Sequence, residues 1–375
     1  ILYISLVIQQ IMQTSVPTFI SKSKFEEYKE NEGYEIIENN YMFTERNNLI
    51  LKEDISIEEM MKLEEFFDNL VKDNKPITIL AIEEPEAHIH PAYQRLVYKD
   101  IYENDNISTI YTTHSTHITS ITPIKSIIHL IKREDDSTDA YSTTNLDLDD
   151  KTCNDLERYI NVKRGELYFG KAVILVEGMA EEYFIPKFSK VLGNDLDKKG
   201  IIICNIDSTN FNPYVKLLEK LNIPYIVITD GDVRKEVTAK ERINSLLNTI
   251  FNVDTENLGE ESLKQLYEKY NIFIGDDTFE IDFLCKSQSN KKLKNEIIEQ
   301  YKNLSDMTDI AKNNFKQKLD NKDYIEALKL IENNIGKGRF SQRISQSDLI
   351  ESNNIPVYIK EAINKIYGMV KKIYE

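Results

Sequence analysis

Two short acidic stretches hold the chemistry available to this sequence. In AVILVEGMAEE, residues 172–182, an apolar run ends on Glu177 and Gly178, and Glu181 and Glu182 follow within the next helical turn. In PYIVITDGD, residues 224–232, a second apolar run ends on Asp230, Gly231 and Asp232. A buried parallel strand that ends on a carboxylate delivers it to the sheet edge where ligands collect. Glu181 falls about one turn into the following helix, so it can face the same cleft as Glu177, and Gly178 is expected to let the backbone turn sharply. In extended backbone, residues i and i+2 point to the same side. Asp230 and Asp232 are therefore expected to project together, with Gly231 removing bulk between them. Clustered carboxylates raise one another's pKa unless cations neutralise them, and Mg²⁺ or Mn²⁺ suits oxygen ligands. Two such ions roughly 4 Å apart would clamp the attacking and leaving oxygens of a phosphodiester. Ordinary solvated strand-end acids would explain either motif alone. Both in one α/β block favour a metal site.

A third acidic edge lies upstream. ITILAIEEPEAHIHP, residues 77–91, is an apolar strand ending on Glu83 and Glu84, and IYTTHS, residues 110–115, ends a neighbouring strand on His114. Paired acids there suit Mg²⁺-nucleotide chemistry: one holds the metal, its neighbour orients the attacking water, and the histidine senses a γ-phosphate. His88 and His90 lack further ligands at zinc-site spacing and read as turn residues.

The elements that must position these groups follow from hydrophobic periodicity. Residues 1–75 read as helical and polar, with Ser56 and Glu59 placed to cap a helix over 56–75. Strands over 76–82 and 107–115 around a helix make a parallel unit. A strand over 124–134 precedes a polar, acidic stretch, 135–152, that reads as a linker. Strands over 172–178, 200–207, 224–230 and 271–275, separated by amphipathic helices, form a second α/β block. From residue 286 the chain is helical and locally basic.

The net charge of −16 argues against coating nucleic acid by bulk attraction, so phosphate contacts must be local or metal-mediated. Cys153, Cys204 and Cys285 show neither zinc spacing nor a disulfide framework, which points to a reducing cytoplasm. The apolar start, ILYISLVIQQIMQ, lacks a basic n-region and a cleavage site, so no signal peptide or membrane span is expected. It also lacks an initiating Met, which suggests that the chain begins partway through a longer protein.

AIEEPEAHIHP…TTHST resembles the Walker B, D-loop and switch-histidine segment of ABC-type ATPase heads of the SMC/RecF/OLD group. The resemblance makes Glu83 the metal-side acid, Glu84 the catalytic glutamate and His114 the switch histidine. No phosphate loop of the G-x-x-x-x-G-K-[ST] type occurs in the sequence and no LSGG-like signature precedes residue 76. Either the phosphate loop lies upstream of Ile1, in which case ATP is a cofactor, or the half-site is vestigial. VILVEGMAEEYFIPKF and IDSTNFNPYVKLLEKLNIPYIVITDGD resemble a Toprim domain in the version found in OLD (overcoming lysogenisation defect) nucleases. ATPase-then-Toprim order is itself characteristic of that family, and the resemblance covers roughly 76–345.

That resemblance implies further roles. Glu177, Asp230 and Asp232 would hold one metal, and Glu181 and Glu280 of DDTFEIDF the other, with Asp282 a rival to Glu280. Lys337 of GKGRFSQRI would stabilise charge on the phosphate, and Arg339 and Arg343 would position DNA phosphates. The implied fold is α/β: a helical remnant of the ATPase or dimerisation region at 1–75, the C-terminal half of an ABC ATPase head at 76–150, and a helical linker at 151–170. A Toprim nuclease domain at 171–345, its parallel sheet flanked by helices, and a C-terminal helix at 346–375 follow. The implied function is a two-metal DNA endonuclease regulated by the ATPase head, acting as a homodimer or higher homo-oligomer. A role in anti-phage defence, with a possible defence-system partner protein as in Gabija-type systems, is implied too. The rivals are a catalytically silent SMC/RecF-like scaffold or sensor, suggested by the missing phosphate loop, and a Toprim primase or topoisomerase. The latter is disfavoured by the lack of a zinc-binding cysteine set.

Overall fold

The structure, a computed structural model, describes residues 16–52, 54–71, 79–102, 108–133, 135–160, 163–305 and 308–374. All of the apolar N-terminal stretch read above, residues 1–13, lies outside these residues. The chain divides into two compact units, 1–118 and 119–375.

In the first unit, strand β1 (Phe19–Ile20) and helices α1 (Lys22–Tyr28) and α2 (Glu35–Asn40) precede strands β2 (Tyr41–Phe43) and β3 (Leu49–Leu51). The three strands form an antiparallel sheet in the order β1-β3-β2. Helix α3 (Ile57–Val71) starts at Ser56, whose hydroxyl accepts from Glu59 N–H at 3.2 Å. A small core of Ile20, Phe25, Ile37, Tyr41, Leu49, Leu63 and Phe67 joins these elements. The stretch read as helical thus also holds a sheet, because strands of two and three residues leave no periodic signal. Strand β4 (Ile79–Glu83), helix α4 (Pro91–Tyr102) and strand β5 (Ser108–Thr112) follow, with β4 and β5 parallel and Glu83 opposite Thr112.

Helix α5 (Thr116–Thr119) ends the first unit, with only Thr119 past the division, and the second unit continues with an antiparallel hairpin of β6 (Ile128–Lys132) and β7 (Thr138–Ser142). The division between the two compact units falls after Ile118. Part of the stretch read as a linker, 135–152, is a paired strand. Helix α6 (Asp150–Tyr159) and a 3-10 turn (Arg164–Tyr168) lie where a helical linker was expected, yet Leu156, Leu167 and Tyr168 are buried in the core. This segment is packed structure.

Four parallel strands form the central sheet: β8 (Ala172–Val176), β9 (Ile201–Asn205), β10 (Tyr225–Thr229) and β11 (Ile272–Ile274), in the order β11-β10-β8-β9. Side chains alternate across the pleat. Ala172, Ile174 and Val176 join one core, while Val173 and Leu175 join the other. Burial on both faces explains why the strands read as continuous apolar runs. The first core is covered by α7 (Met179–Val191) and, later in the chain, by α11 (Phe279–Ser287), α12 (Lys291–Ser305), α13 (Asp309–Asp320), α14 (Tyr324–Asn334), α15 (Lys337–Ile344) and α16 (Val357–Tyr374). The second is covered by α6, α8 (Asn212–Lys220), α9 (Ala239–Phe251) and α10 (Glu260–Lys269). From β8 the chain crosses outward to β9; from β10 it crosses the other way to β11. The connections diverge between β8 and β10, which opens a crevice beyond their carboxyl ends. Among the described residues, no helix is long and apolar enough to cross a membrane.

Candidate active site

Glu177 directly follows β8, and Thr229, the last residue of β10, donates its hydroxyl to Glu177 Oε1. Gly178 has φ −148°, an extended conformation open to any residue. The backbone does bend at Glu177 and Gly178 as expected, but the bend does not require a glycine, and a Cβ there would simply meet Glu181 Oε2 at 3.5 Å. Glu181, in the first turn of α7, is buried at 4% exposure. Glu182 points elsewhere: it pairs with Lys163 and accepts from Asn205 Nδ2 at 3.0 Å, tying the 3-10 turn and β9 to α7.

The two aspartates after β10 part company. Asp232 sits in the left-handed region at φ 49°, so the extended geometry that would set them side by side is absent. Asp230 Oδ1 accepts from the Phe279 N–H at 2.8 Å. Asp232, 2% exposed, instead accepts from Arg242 Nη2 at 2.7 Å, and Lys235 Nζ lies 2.7 Å from its other oxygen without hydrogen-bond alignment. The glycine between them has a different purpose from the one expected. A Cβ on Gly231 would lie 2.5 Å from the Gly275 carbonyl and 2.8 Å from that of Asp276. Gly231 N–H also donates to Asp277 O at 2.7 Å. The loops after β10 and β11 therefore touch backbone to backbone.

Two charge environments result. On one side Glu177 and Asp232 share Arg242, which stands 3.4 Å from Glu177 Oε1. Burial pushes the Glu177 pKa up; Thr229 opposes this and Asp232 reinforces it. On the other side Glu181, Asp230 and Glu280 face one another. Burial, then Glu280 and Glu177, push Glu181 to about 8. Burial, then Glu181, Glu177 and Glu280, hold Asp230 well above the usual carboxylate range. The cation of this side is Lys337, whose Nζ is 3.6 Å from Glu280 Oε2 and 3.1 Å from Glu332 Oε1. Burial lowers its pKa, but Glu280, Glu332 and Asp230 outweigh that and raise it.

Lys337 is presented by Gly336, at φ 88°, at the start of α15, which packs on α7. Arg339 and Arg343, on the same helix, are exposed, and Arg343 Nε donates to Gln300 at 3.2 Å. Of the two acids that competed for one role, Asp282 is occupied: its Oδ2 accepts from the Asp276 and Asp277 N–H groups at 3.1 and 3.3 Å. Glu280 instead faces the acids and Lys337. Arg242, Lys235 and Thr229 escaped the sequence reading because their proximity is tertiary. So did Tyr358, a buried tyrosine on α16 with no distinguishing local pattern.

Glu181, Asp230 and Glu280 are hard oxygen donors that repel one another, a repulsion that a cation would relieve. On the Glu177–Asp232 side, Arg242 and Lys235 already supply positive charge. Among the described residues, no three acidic, histidine or cysteine side chains close on a common point.

In the first unit, Glu83 ends β4 and Glu84 follows at φ 43°. His114 Nε2 lies 3.6 Å from Glu84 Oε1. Glu86, unremarked in the sequence, accepts from Thr113 Oγ1 at 2.6 Å and from His114 N–H at 2.8 Å, bracing the histidine's backbone. His90 Nδ1 accepts from Ala92 N–H at 3.2 Å, a turn role at the start of α4.

Comparisons with known proteins agree with this division. A family model described as "Overcoming lysogenization defect protein-like, TOPRIM domain" matches residues 168–232, and one described as "AAA ATPase domain" matches 8–119. The chain is 27% identical over 298 residues to "Endonuclease GajA" of Bacillus cereus (strain HuB5-5), covering 65% of this chain and 43% of that protein. It is 26% identical over 168 residues to "OLD nuclease" of Thermus scotoductus, covering 42% of this chain and 31% of that one. The chain thus spans less than half the length of these curated relatives. The solved C-terminal region of the Xanthomonas campestris pv. campestris OLD protein is 33% identical, covers 55% of this chain and 99% of that one, and has a TM-score of 0.48.

Proposed function

This chain belongs to the overcoming-lysogenization-defect (OLD)-like family, and from that premise we propose that it is a divalent-metal-dependent DNA endonuclease. The observation that carries the proposal is the group Glu181, Asp230 and Glu280. Three carboxylates from three separate elements gather at the mouth of the crevice, Glu181 and Glu280 buried and Asp230 half-buried, with Lys337 alongside.

Glu181, Asp230 and Glu280 would hold Mg²⁺ or Mn²⁺, and a second ion on Glu177 and Asp232 has to compete with Arg242 and Lys235. Such cations polarise a phosphodiester and supply a nucleophilic water near neutral pH. The chain's own residues do the rest. Phe279 N–H fixes one oxygen of Asp230, and Thr229 fixes Glu177. The acids hold Lys337 protonated, and its ammonium offsets charge that develops on the phosphate. Arg339 and Arg343, exposed on α15, contact flanking phosphates. On the same reading Glu83, Glu84 and His114 belong to an ATPase half that regulates cleavage, a second copy of the chain is a partner, and the protein serves in defence against phage.

The test is cleavage of supercoiled plasmid DNA with Mn²⁺ or Mg²⁺ as the only divalent ion. Glu181→Gln and Asp230→Asn are each expected to lower the rate by at least about 10²-fold, the scale set by removing one transition-state contact. Wild-type rates in both variants would overturn the assignment.

A further inference from the structure

Tyr358 is the second residue of α16, a helix whose Ile359, Ala362, Ile363, Ile366 and Val370 pack into the core. The elements α16 packs against are β8, β10, β11 and α7, which carry or adjoin Glu177, Asp230, Gly275 and Glu181. Only 9% of Tyr358 is exposed, and its hydroxyl has no hydrogen-bond partner. The end of the phenol lies in the notch left by the missing side chain of Gly275. A Cβ there would be 3.1 Å from Tyr358 Cζ and 3.0 Å from Asp282 Oδ2. The charged groups that face it are Asp230, Asp282, Glu181 and Glu280, all acids.

A hydroxyl ringed by acceptors can only donate, and a buried donor left unmade carries a desolvation penalty. The candidates to receive it are few. Asp282 Oδ2 already takes two backbone N–H groups, Glu280 faces Lys337, and the Glu181 carboxylate turns back toward its own backbone N–H and Gly178, where an added Cβ would lie 3.5 Å from Oε2. Asp230 has one oxygen on the Phe279 N–H, and its second accepts no hydrogen bond among the described residues.

We propose that Tyr358 is a positioning residue of the acidic site: its hydroxyl, without a partner in this structure, donates to the second oxygen of Asp230 in the metal-bound protein, so that the ligating carboxylate is held from two sides. The inference rests on the metal-site reading above and adds a contributor to that site. Burial and the surrounding acids push the phenol's pKa far up, so it stays protonated and remains a donor as the acids ionise. Hydrogen bonds to a ligating carboxylate from outside the ligand set tune metal affinity by about 10–100-fold.

Tyr358→Phe keeps the ring and removes only the donor. In the full chain, Mn²⁺ affinity measured by titration calorimetry is expected to weaken about tenfold, while the metal-free urea midpoint stays level or rises. In an Asp230→Asn background the same substitution should change Mn²⁺ affinity no further. Mn²⁺ affinity of Tyr358→Phe within about twofold of wild type, where Asp230→Asn binds measurably but more weakly, overturns the role of Tyr358 and leaves the metal site standing. A lower metal-free midpoint with unchanged affinity assigns the hydroxyl to packing and overturns it equally. A wild-type chain that binds no Mn²⁺ overturns the metal-site reading and this inference together.

Discussion

Replacing Gly231 with alanine tests the geometry of the crevice without presupposing its chemistry. The new methyl would sit 2.5 Å from the Gly275 carbonyl oxygen, 2.8 Å from the Asp276 oxygen and 2.9 Å from the Asp276 carbonyl carbon, all backbone atoms. Non-bonded heavy atoms prefer about 3.5–4.0 Å, so one loop has to retreat by roughly 1 Å. Overpacking of this kind costs about 1–3 kcal/mol. The retreat also strains the 2.7 Å bond from Gly231 N–H to Asp277 O, worth about 1 kcal/mol. Together these predict a loss of about 2–4 kcal/mol, which for a unit of this size is a fall in Tm of about 4–16 °C. Asp230 moves with the loop, and misplacement by about 1 Å can cost about 10²-fold in rate. Gly338→Ala is the internal control. Its methyl would meet the flexible end of the exposed Met179 side chain at 3.2 Å, and helix propensity favours alanine there by up to about 1 kcal/mol. Calorimetric unfolding and plasmid cleavage of both variants measure the contrast. A Gly231→Ala protein that melts within about 2 °C of wild type and cleaves at its rate would refute the reasoning.

Two further expectations concern charge. Glu181 is raised from 4.5 to about 8 in the fold. Its contribution to metal-free stability is therefore fully present below pH 4.5 and is lost as pH rises toward 8. Asp230 and Glu177 shift in the same direction. For Glu181 alone the loss between pH 5.5 and 8 is about 3 kcal/mol; urea unfolding with a chelator should show it, Glu181→Gln should flatten it, and stability that rises with pH over this window would count against it. Arg242→Ala strips Asp232 of its buried hydrogen-bonded cation and should destabilise the metal-free protein by about 3–5 kcal/mol; an unchanged urea midpoint would show that Lys235 alone satisfies the aspartate.

What was legible in the sequence follows from what is local. AVILV and YIVIT read as strands to within two residues because burial on both faces leaves an unbroken apolar run, and the acids at their ends inherit a position from the sheet. The strands β1 to β3 were invisible because they are too short to show alternation. The 3-10 turn at Arg164–Tyr168 looked like linker because only packing reveals that Leu167 and Tyr168 belong to the core. At the site, Asp230 and Asp232 stood out as a pair, but the positive φ at Asp232 that separates them has no signal in the local sequence. Arg242, ten residues beyond Asp232 on another element, has no sequence signal linking it to either acid. Tyr358 is one of 21 tyrosines and looked like any other.

The covering of the first core by α15 and α16 also sets a schedule for synthesis. A nascent chain reaches Glu177 long before Lys337 and Tyr358, an interval of roughly ten to forty seconds at ordinary rates of translation. During that interval the strand-end acids exist without the helix that carries Lys337 or the helix beneath Asp230, and the apolar faces of β8 and β10 are still uncovered on that side. The acidic crevice acquires its full surroundings only when α15 and α16 dock. A growing polypeptide is thus kept from presenting the assembled group of acids and lysine to nearby nucleic acid before the rest of its fold is in place.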